Sequence, residues 1–199
     1  MIHVKQITDG KKMDNKKIII ISSGNEEQFN FALPIGIGLI NSAVNLTRLC
    51  LFDKPDFLIF IGTAGSYGNK KTFEIIESST ASNIENCFLE KNCYTPIDNI
   101  ISFSHDVSRE TIVNSSNYIT TDEKIANKYL KLNIEIENME FYSVMSVAKE
   151  FNIPAKGIFV VTNYCHKEAH REYISNIKKA KKLLIEYLIQ KKIIKEIDG

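Results

Sequence analysis

The segment Asp56–Ile61 (DFLIFI) constrains this chain more than any other. It is almost continuously apolar and runs without a polar break into Gly62-Thr63-Ala64-Gly65-Ser66-Tyr67-Gly68, a string with little side-chain bulk. A strand that is apolar on both faces must be covered on both, which is the condition of a parallel sheet held between helices. Lys17–Ser22 (KIIIIS) and Gly157–Thr162 (GIFVVT) have the same character and predict two further buried strands. Helical spacing lies between them. Leu39–Phe52 places Leu39, Ala43, Leu46 and Cys50 on one face. Met139–Phe151 does the same through Val144, Val147, Ala148 and Phe151, and Pro154 stops it. His170–Ile197 reads as a long amphipathic helix, with Ile174, Ile177, Leu184 and Leu188 inward and lysines outward.

Weaker signals fill the rest. Phe29–Gly38 predicts a strand ending in glycines, Glu110–Ile119 a strand with a polar end, Lys124–Leu130 a short helix and Ile134–Glu137 a short strand. Thr72–Ala81 and Cys87–Phe103 alternate weakly and predict strands joined by long loops. Buried strands alternating with helices predict an α/β fold, a three-layer α/β/α sandwich with a central mixed sheet. In such folds ligands bind beyond the carboxyl ends of the strands. Here those ends are the Gly62–Gly68 loop, Ser115–Tyr118 and Thr162–Asn163, joined by Asn138-Met139-Glu140 at a helix start.

The 199 residues carry no repeat or linker and predict a single domain over 1–199. With 25 Lys+Arg against 24 Asp+Glu the formal net charge is +1, which excludes a strongly basic nucleic-acid arm. No apolar run reaches the ~18 residues that span a bilayer. The start, MIHVKQITDGKKMDNKK, lacks the apolar core of a secretory signal. A cytoplasmic protein without nucleic-acid or membrane partners is expected. Cys50, Cys87, Cys93 and Cys165 show no Cys-x-x-Cys spacing and are expected as reduced thiols. His166 and His170 stand four apart, near Cys165 and Glu168, but no third ligand follows at motif spacing, so no metal is expected. His105-Asp106 is a local pair without an assigned role. No Gly-x-x-x-x-Gly-Lys loop or Gly-x-Gly-x-x-Gly fingerprint is present. The only arginines are Arg48, Arg109 and Arg171, a scarcity that matters because Arg is the usual bidentate grip on phosphate.

An ordered set of short motifs then resembles the nucleoside phosphorylase/nucleosidase superfamily. In its N-terminal half the set is Gly36-Ile37-Gly38, Asn41-Ser42-Ala43, Lys54-Pro55-Asp56 and Gly62-Thr63-Ala64-Gly65. In its C-terminal half it is Glu137-Asn138-Met139-Glu140, a helix, Asn152-Ile153-Pro154, a strand and Thr162-Asn163. The resemblance covers roughly residues 29–197. It implies a phosphorylase/hydrolase-like sandwich that cleaves the N-glycosidic bond of a purine nucleoside, without a cofactor, and a homo-oligomer. The ribosyl group goes to water or, with phosphate as co-substrate, to phosphate. That bond breaks through an oxocarbenium-like transition state, so the enzyme needs a sugar grip, a donor to the base and a positioned nucleophile.

By the resemblance, Glu140 grips the sugar hydroxyls and its charge favours the cationic ribosyl. Met139 packs under the ribose. Asn138 departs from the family's usual Glu. Asn163 stands where adenine-directed members carry Asp. An amide cannot deliver a proton, but it can donate to N7, which leans the reading towards 6-oxopurines. Tyr118 matches an aromatic that lies against the base. Thr63, Ala64 and Gly65 present a hydroxyl and N–H groups to phosphate, water or base. Ile61, before Gly62, stands where hexameric phosphorylases carry Arg, which favours a nucleosidase. Two readings of Glu27 remain. It is either the general base for water, or it sits with Glu26 in the exposed turn of an antiparallel hairpin between Lys17–Ser22 and Phe29–Gly38. In the second case the N-terminal part of the domain is shortened. A decayed, non-catalytic nucleoside-binding protein is the competing reading.

Overall fold

The computed structural model describes residues 16–104 and 110–195. The start of the chain, the His105-Asp106 pair and Arg109 lie outside the described residues.

The spine is β3 (Phe57–Ser66), buried along almost its whole length. Its first half is flanked by parallel β1 (Ile18–Ser22), paired from Ile18 with Phe57 to Ile21 with Phe60. Its whole length pairs in parallel with β9 (Ala155–Tyr164), from Leu58 with Ala155 to Ser66 with Tyr164. At its end the β1 side is taken over by β8 (Ile134–Asn138), antiparallel, with Gly65 opposite Glu137. The sheet continues from β8 through β7 (Ile112–Ser115) and β5 (Thr80–Ser82) to β6 (Ile100–Ser102), while β4 (Ile75–Ser78) lies on β9. The short β2 (Leu33–Pro34) forms the other edge, beside β1.

Helices cover both faces. On one, α1 (Gly38–Asp53) and α4 (Phe141–Glu150) pack over a core that includes Leu46, Cys50, Phe60, Phe141, Met145 and Phe159. On the other, α5 (Ala169–Gln190) lays Ala180, Leu184 and Leu188 on Ile20, Ile59, Ile61, Ile158 and Val160. Alternate residues of the same strands feed the two cores, which is why those strands are apolar throughout. The three-layer α/β/α sandwich expected from the sequence is therefore the observed one. Two small helices complete it: α2 (Asn86–Leu89) and α3 (Glu123–Lys131), the latter capped by the Asp122 carboxylate, which accepts from Lys124 N at 2.7 Å.

Four expectations are corrected. Gly62–Ser66 is not a loop; the small residues continue β3, with an irregular register at Ala64/Gly65. Small side chains are needed there because neighbouring side chains fill the space above the strand. Phe29–Gly38 is not a strand apart from Leu33–Pro34, since Phe29 and Ala32 turn into the α5-side core. The antiparallel hairpin is absent: β2 runs parallel to β1, with Ile21 opposite Leu33. The returning loop needs to align only two residues, so a short connection suffices where a full strand would need a long crossover. Finally, Cys87 and Cys93 form a disulfide, because the single turn of α2 brings their Cα atoms to 5.5 Å. Cys50 and Cys165 are buried free thiols. Among the described residues, no helix is long and apolar enough to cross a membrane.

Phe60, Phe141 and Phe159 meet in the α1/α4-side core, with Phe141 edge-on to Phe159 at 5.1 Å. Phe141 follows Glu140 directly, so its packing also fixes the start of α4. Phe141→Ala is expected to cost about 3–5 kcal/mol of stability, read from urea denaturation midpoints.

Candidate active site

The carboxyl ends of β1, β3, β8 and β9 open onto a cavity of about 550 Å³. It is lined by Glu26, Glu27, Thr63, Ala64, Gly65, Tyr118, Glu137, Asn138, Met139, Glu140 and Asn163, among others. Segments far apart in sequence thus converge on one space. Among the described residues, no Lys or Arg lines it.

Glu140 sits between β8 and α4 with 3 % of its surface exposed. Its carboxylate accepts the Gly38 N–H at 3.0 Å, at the first residue of α1. Asn138 sets the turn that delivers it: its side-chain oxygen accepts from Glu140 N at 2.7 Å and Phe141 N at 2.9 Å, and its amide donates to Thr63 O at 3.2 Å. Asn138 therefore spends its amide on the helix start and on β3. Met139, half-buried, lines the cavity beside it.

Glu27 is folded inward, not exposed in a turn. After β1 the chain reverses through Gly24 and Asn25, both at positive φ, and Glu27 N donates to Gly24 O at 2.9 Å. The carboxylate then lies on β3, where it accepts from Thr63 N at 3.1 Å, from the Thr63 hydroxyl and from the Ser23 hydroxyl at 3.3 Å. Gly62 permits this approach, because a Cβ there would stand 2.8 Å from the Glu27 carboxylate. Thr63 thus gives both of its donors to Glu27, where the sequence had suggested that they face a ligand.

Asn163 lies at the end of β9, 6 % exposed. Its oxygen accepts the Thr162 hydroxyl at 2.9 Å and its nitrogen donates to Tyr164 O at 3.2 Å. An amide nitrogen carries two hydrogens, so one remains for the cavity. Gly65 lies between Asn163 and Glu137 in the sheet, and a Cβ on it would meet the Asn163 nitrogen and the Cys165 sulfur at 3.1 Å and Glu137 Cγ at 3.3 Å. Tyr118 borders the cavity but is 82 % exposed, a rim residue in this structure with its ring largely in solvent.

The structure adds residues that sequence reasoning missed. Glu137, a buried carboxylate on β8, lines the cavity. Its place before Asn-Met-Glu was visible, but its inward direction depends on the β3–β8 register. His170 and Tyr173 line the wall given by α5. His166 does not: Glu168 N donates to its Nδ1 at 3.0 Å, and its Nε2 lies 3.2 Å from Glu172. Among the described residues, no three His, Cys, Asp or Glu side chains cluster as metal ligands. Arg48 is exposed on α1, and Arg171, also exposed, lies 3.3 Å from Glu168.

Comparison with known proteins follows the same line. No protein-family model matches the chain, and no curated protein does. Solved structures do. A mutant 5'-methylthioadenosine/S-adenosylhomocysteine nucleosidase of Helicobacter pylori, with 5'-methylthioadenosine in its active site, matches with a TM-score of 0.72 at 14% identity, over 88% of this chain and 99% of that one. A futalosine hydrolase mutant of the same organism matches with a TM-score of 0.74 at 14% identity, over 87% and 96%. The S. pneumoniae nucleosidase with a transition-state inhibitor matches at 0.70 and 14%, over 87% and 96%. The chain therefore has the fold of these nucleosidases and of this futalosine hydrolase.

Burial raises both carboxyls. Glu140 is pushed up to about 7, by desolvation first and by the neighbouring Glu27 charge second, against the pull of the Gly38 N–H. Glu27 is raised by desolvation against its Thr63 and Ser23 hydrogen bonds. The folded protein therefore holds a proton on Glu140 between pH 4.5 and about 7, where the unfolded chain has lost it, and stability falls as pH rises through that window. Glu140→Gln should unfold at a higher temperature than the parent at about pH 8, and the gap should close at about pH 5, where the parent carboxyl is itself protonated. Melting curves at the two pH values check this.

Proposed function

We propose that this protein is a purine nucleosidase that hydrolyses the N-glycosidic bond. The observation that carries the reading is the pair of buried carboxylates, Glu27 and Glu140, in one cavity of a nucleosidase-type fold. Two carboxylates suit a cationic ribosyl and a neutral water; they would repel a phosphate dianion. Among the described residues no Lys or Arg lines the cavity to clamp such an anion, although Lys181 is near enough to Glu27 to ease its charge. The ribosyl acceptor in this reading is water.

In this mechanism Glu140 accepts hydrogen bonds from the sugar hydroxyls and stabilises the positive charge that grows on the ribose. Met139 packs against the sugar. Glu27, ionised and held by Thr63 and Ser23, takes a proton from the attacking water. The free Asn163 N–H hydrogen-bonds the base at N7 as negative charge builds there. An amide supplies no proton, so the better leaving groups are 6-oxopurines such as hypoxanthine or guanine. These roles use side chains alone and need no cofactor or metal. The neighbours named for methylthioadenosine, S-adenosylhomocysteine and futalosine support a nucleoside substrate.

The chain is further proposed to work as a homo-oligomer. On α1, Ile40, Val44 and Leu51 form an exposed apolar stripe opposite the buried Ser42, Leu46 and Cys50, with Ile37 just before the helix. This stripe adjoins the rim, because Asn117 beside Tyr118 accepts Leu39 N at 2.9 Å. A second copy laid on it would cover Tyr118 and Ile119.

Incubation with inosine, guanosine, adenosine and methylthioadenosine, with and without phosphate, while free base is measured, tests the activity. Phosphate-independent release, faster from inosine and guanosine, is expected. The rate should rise with pH through about 7 and be lost in Glu140→Ala. Strictly phosphate-dependent release would make it a phosphorylase. Binding without release would make it a nucleoside-binding protein. Sedimentation velocity should show an oligomer that Ile40→Asp converts to monomer.

A further inference from the structure

Glu137 has no part in the mechanism above, yet it is a carboxylate buried in the cavity wall. Its partners explain where it points. Glu137 Oε1 accepts the backbone N–H of Thr120 at 2.9 Å. The Thr120 hydroxyl, the Tyr67 phenol and the Cys165 thiol lie beside the carboxyl as further donors, and burial raises its pKa. Tyr67 is itself stacked on Tyr129 with ring centroids 4.3 Å apart. Tyr129 donates to Ile84 O at 2.7 Å, so the carboxyl sits on a rigid base.

The segment that Glu137 holds is the cavity rim. Residues 116–120 leave β7 and cross the cavity mouth before Asp122 starts α3. They are tied at two points: Asn117 accepts Leu39 N at 2.9 Å, and Thr120 is bound to Glu137. Tyr118 and Ile119 lie between the ties, well exposed, and both line the cavity. Glu137 and Asn163 flank Gly65 in the sheet, so the Thr120 tie is at the end of the cavity that holds Asn163.

We propose that Glu137 is a positioning residue for nucleobase binding: through Thr120 it sets the Tyr118–Ile119 rim over the Asn163 end of the cavity. The inference rests on the nucleosidase reading for its ligand, and on hydrogen-bond geometry alone for the anchoring. A charged or strongly polarised acceptor suits this place because a bare Thr120 N–H buried in the wall would otherwise lose a hydrogen bond. The carboxyl also has enough acceptor sites to take the Tyr67 and Cys165 donors at the same time.

The test compares Glu137→Ala and Glu137→Gln with the parent protein in two measurements. The first is hydrogen–deuterium exchange over residues 116–121. It should quicken at least about tenfold in Glu137→Ala and stay near the parent rate in Glu137→Gln, whose amide oxygen still accepts Thr120 N–H. The second is steady-state base release from inosine. KM should rise about tenfold in Glu137→Ala with kcat held within about threefold, and Glu137→Gln should recover most of the loss. Unchanged exchange in Glu137→Ala overturns the anchoring. Altered exchange with unchanged KM, or a loss confined to kcat, overturns the role in base binding. If Glu137→Ala does not fold, Thr120→Pro, which removes the donor and keeps the carboxyl, takes its place in both measurements. If the parent releases no base, the nucleosidase reading falls, inosine binding replaces KM, and the exchange rates still decide the anchoring.

Discussion

Two carboxylates buried in one cavity are the costly interaction around which this fold is arranged. Desolvation penalises each charge, and the Glu27 charge adds to the penalty on Glu140. The surrounding structure supplies what offsets this: the Gly38 N–H for Glu140, and the Thr63 and Ser23 donors for Glu27. Each donor comes from a different element, α1, β3 and the end of β1. The cavity therefore holds its chemistry only when the three are docked together. Burial thus raises the pKa of both carboxyls, that of Glu140 to about 7.

The sheet makes this convergence possible by changing partners along β3. β1 flanks its first half and β8 takes over at its end, leaving space where the strands part. Glu27 enters from the β1 side and Glu137 from the β8 side, while β9 brings Asn163 along the opposite edge. The glycines of β3 belong to the same design. At Gly62 and Gly65 the absent side chains are replaced by the carboxyl of Glu27 and by Asn163, Cys165 and Glu137. A chain of small residues that reads as a loop is thus a strand whose missing bulk is the room for buried side chains from neighbouring segments.

The charge distribution carries the argument from fold to chemistry. With +1 overall the chain is nearly neutral, yet the cavity is lined by four glutamates and, among the described residues, by no lysine or arginine. The scarcity of arginine in the sequence becomes meaningful through that placement. Arg48 and Arg171 are on the surface. A cavity of this kind favours a ligand that carries or develops positive charge, in keeping with the proposed ribosyl chemistry.

The sequence by itself determined the layered α/β class, because DFLIFI, KIIIIS and GIFVVT are apolar on both faces and only a doubly covered sheet can bury them. It also marked the Asn138-Met139-Glu140 and Thr162-Asn163 strings, whose residues do line one cavity. Tertiary structure alone decided the rest. Whether Glu27 faced solvent or the cavity depended on β2 running parallel to β1, a matter of two paired residues that no periodicity records. Glu137 looked like one polar residue of a short strand until pairing with Gly65 pointed it inward. The Cys87–Cys93 disulfide required the turn of α2, since the six-residue separation carries no motif. Tyr118 was legible as an aromatic near the site, but its place on the rim came from the ties at Asn117 and Thr120. Local pattern reports what a segment must bury; which side chains meet is set by register and by contacts between distant segments.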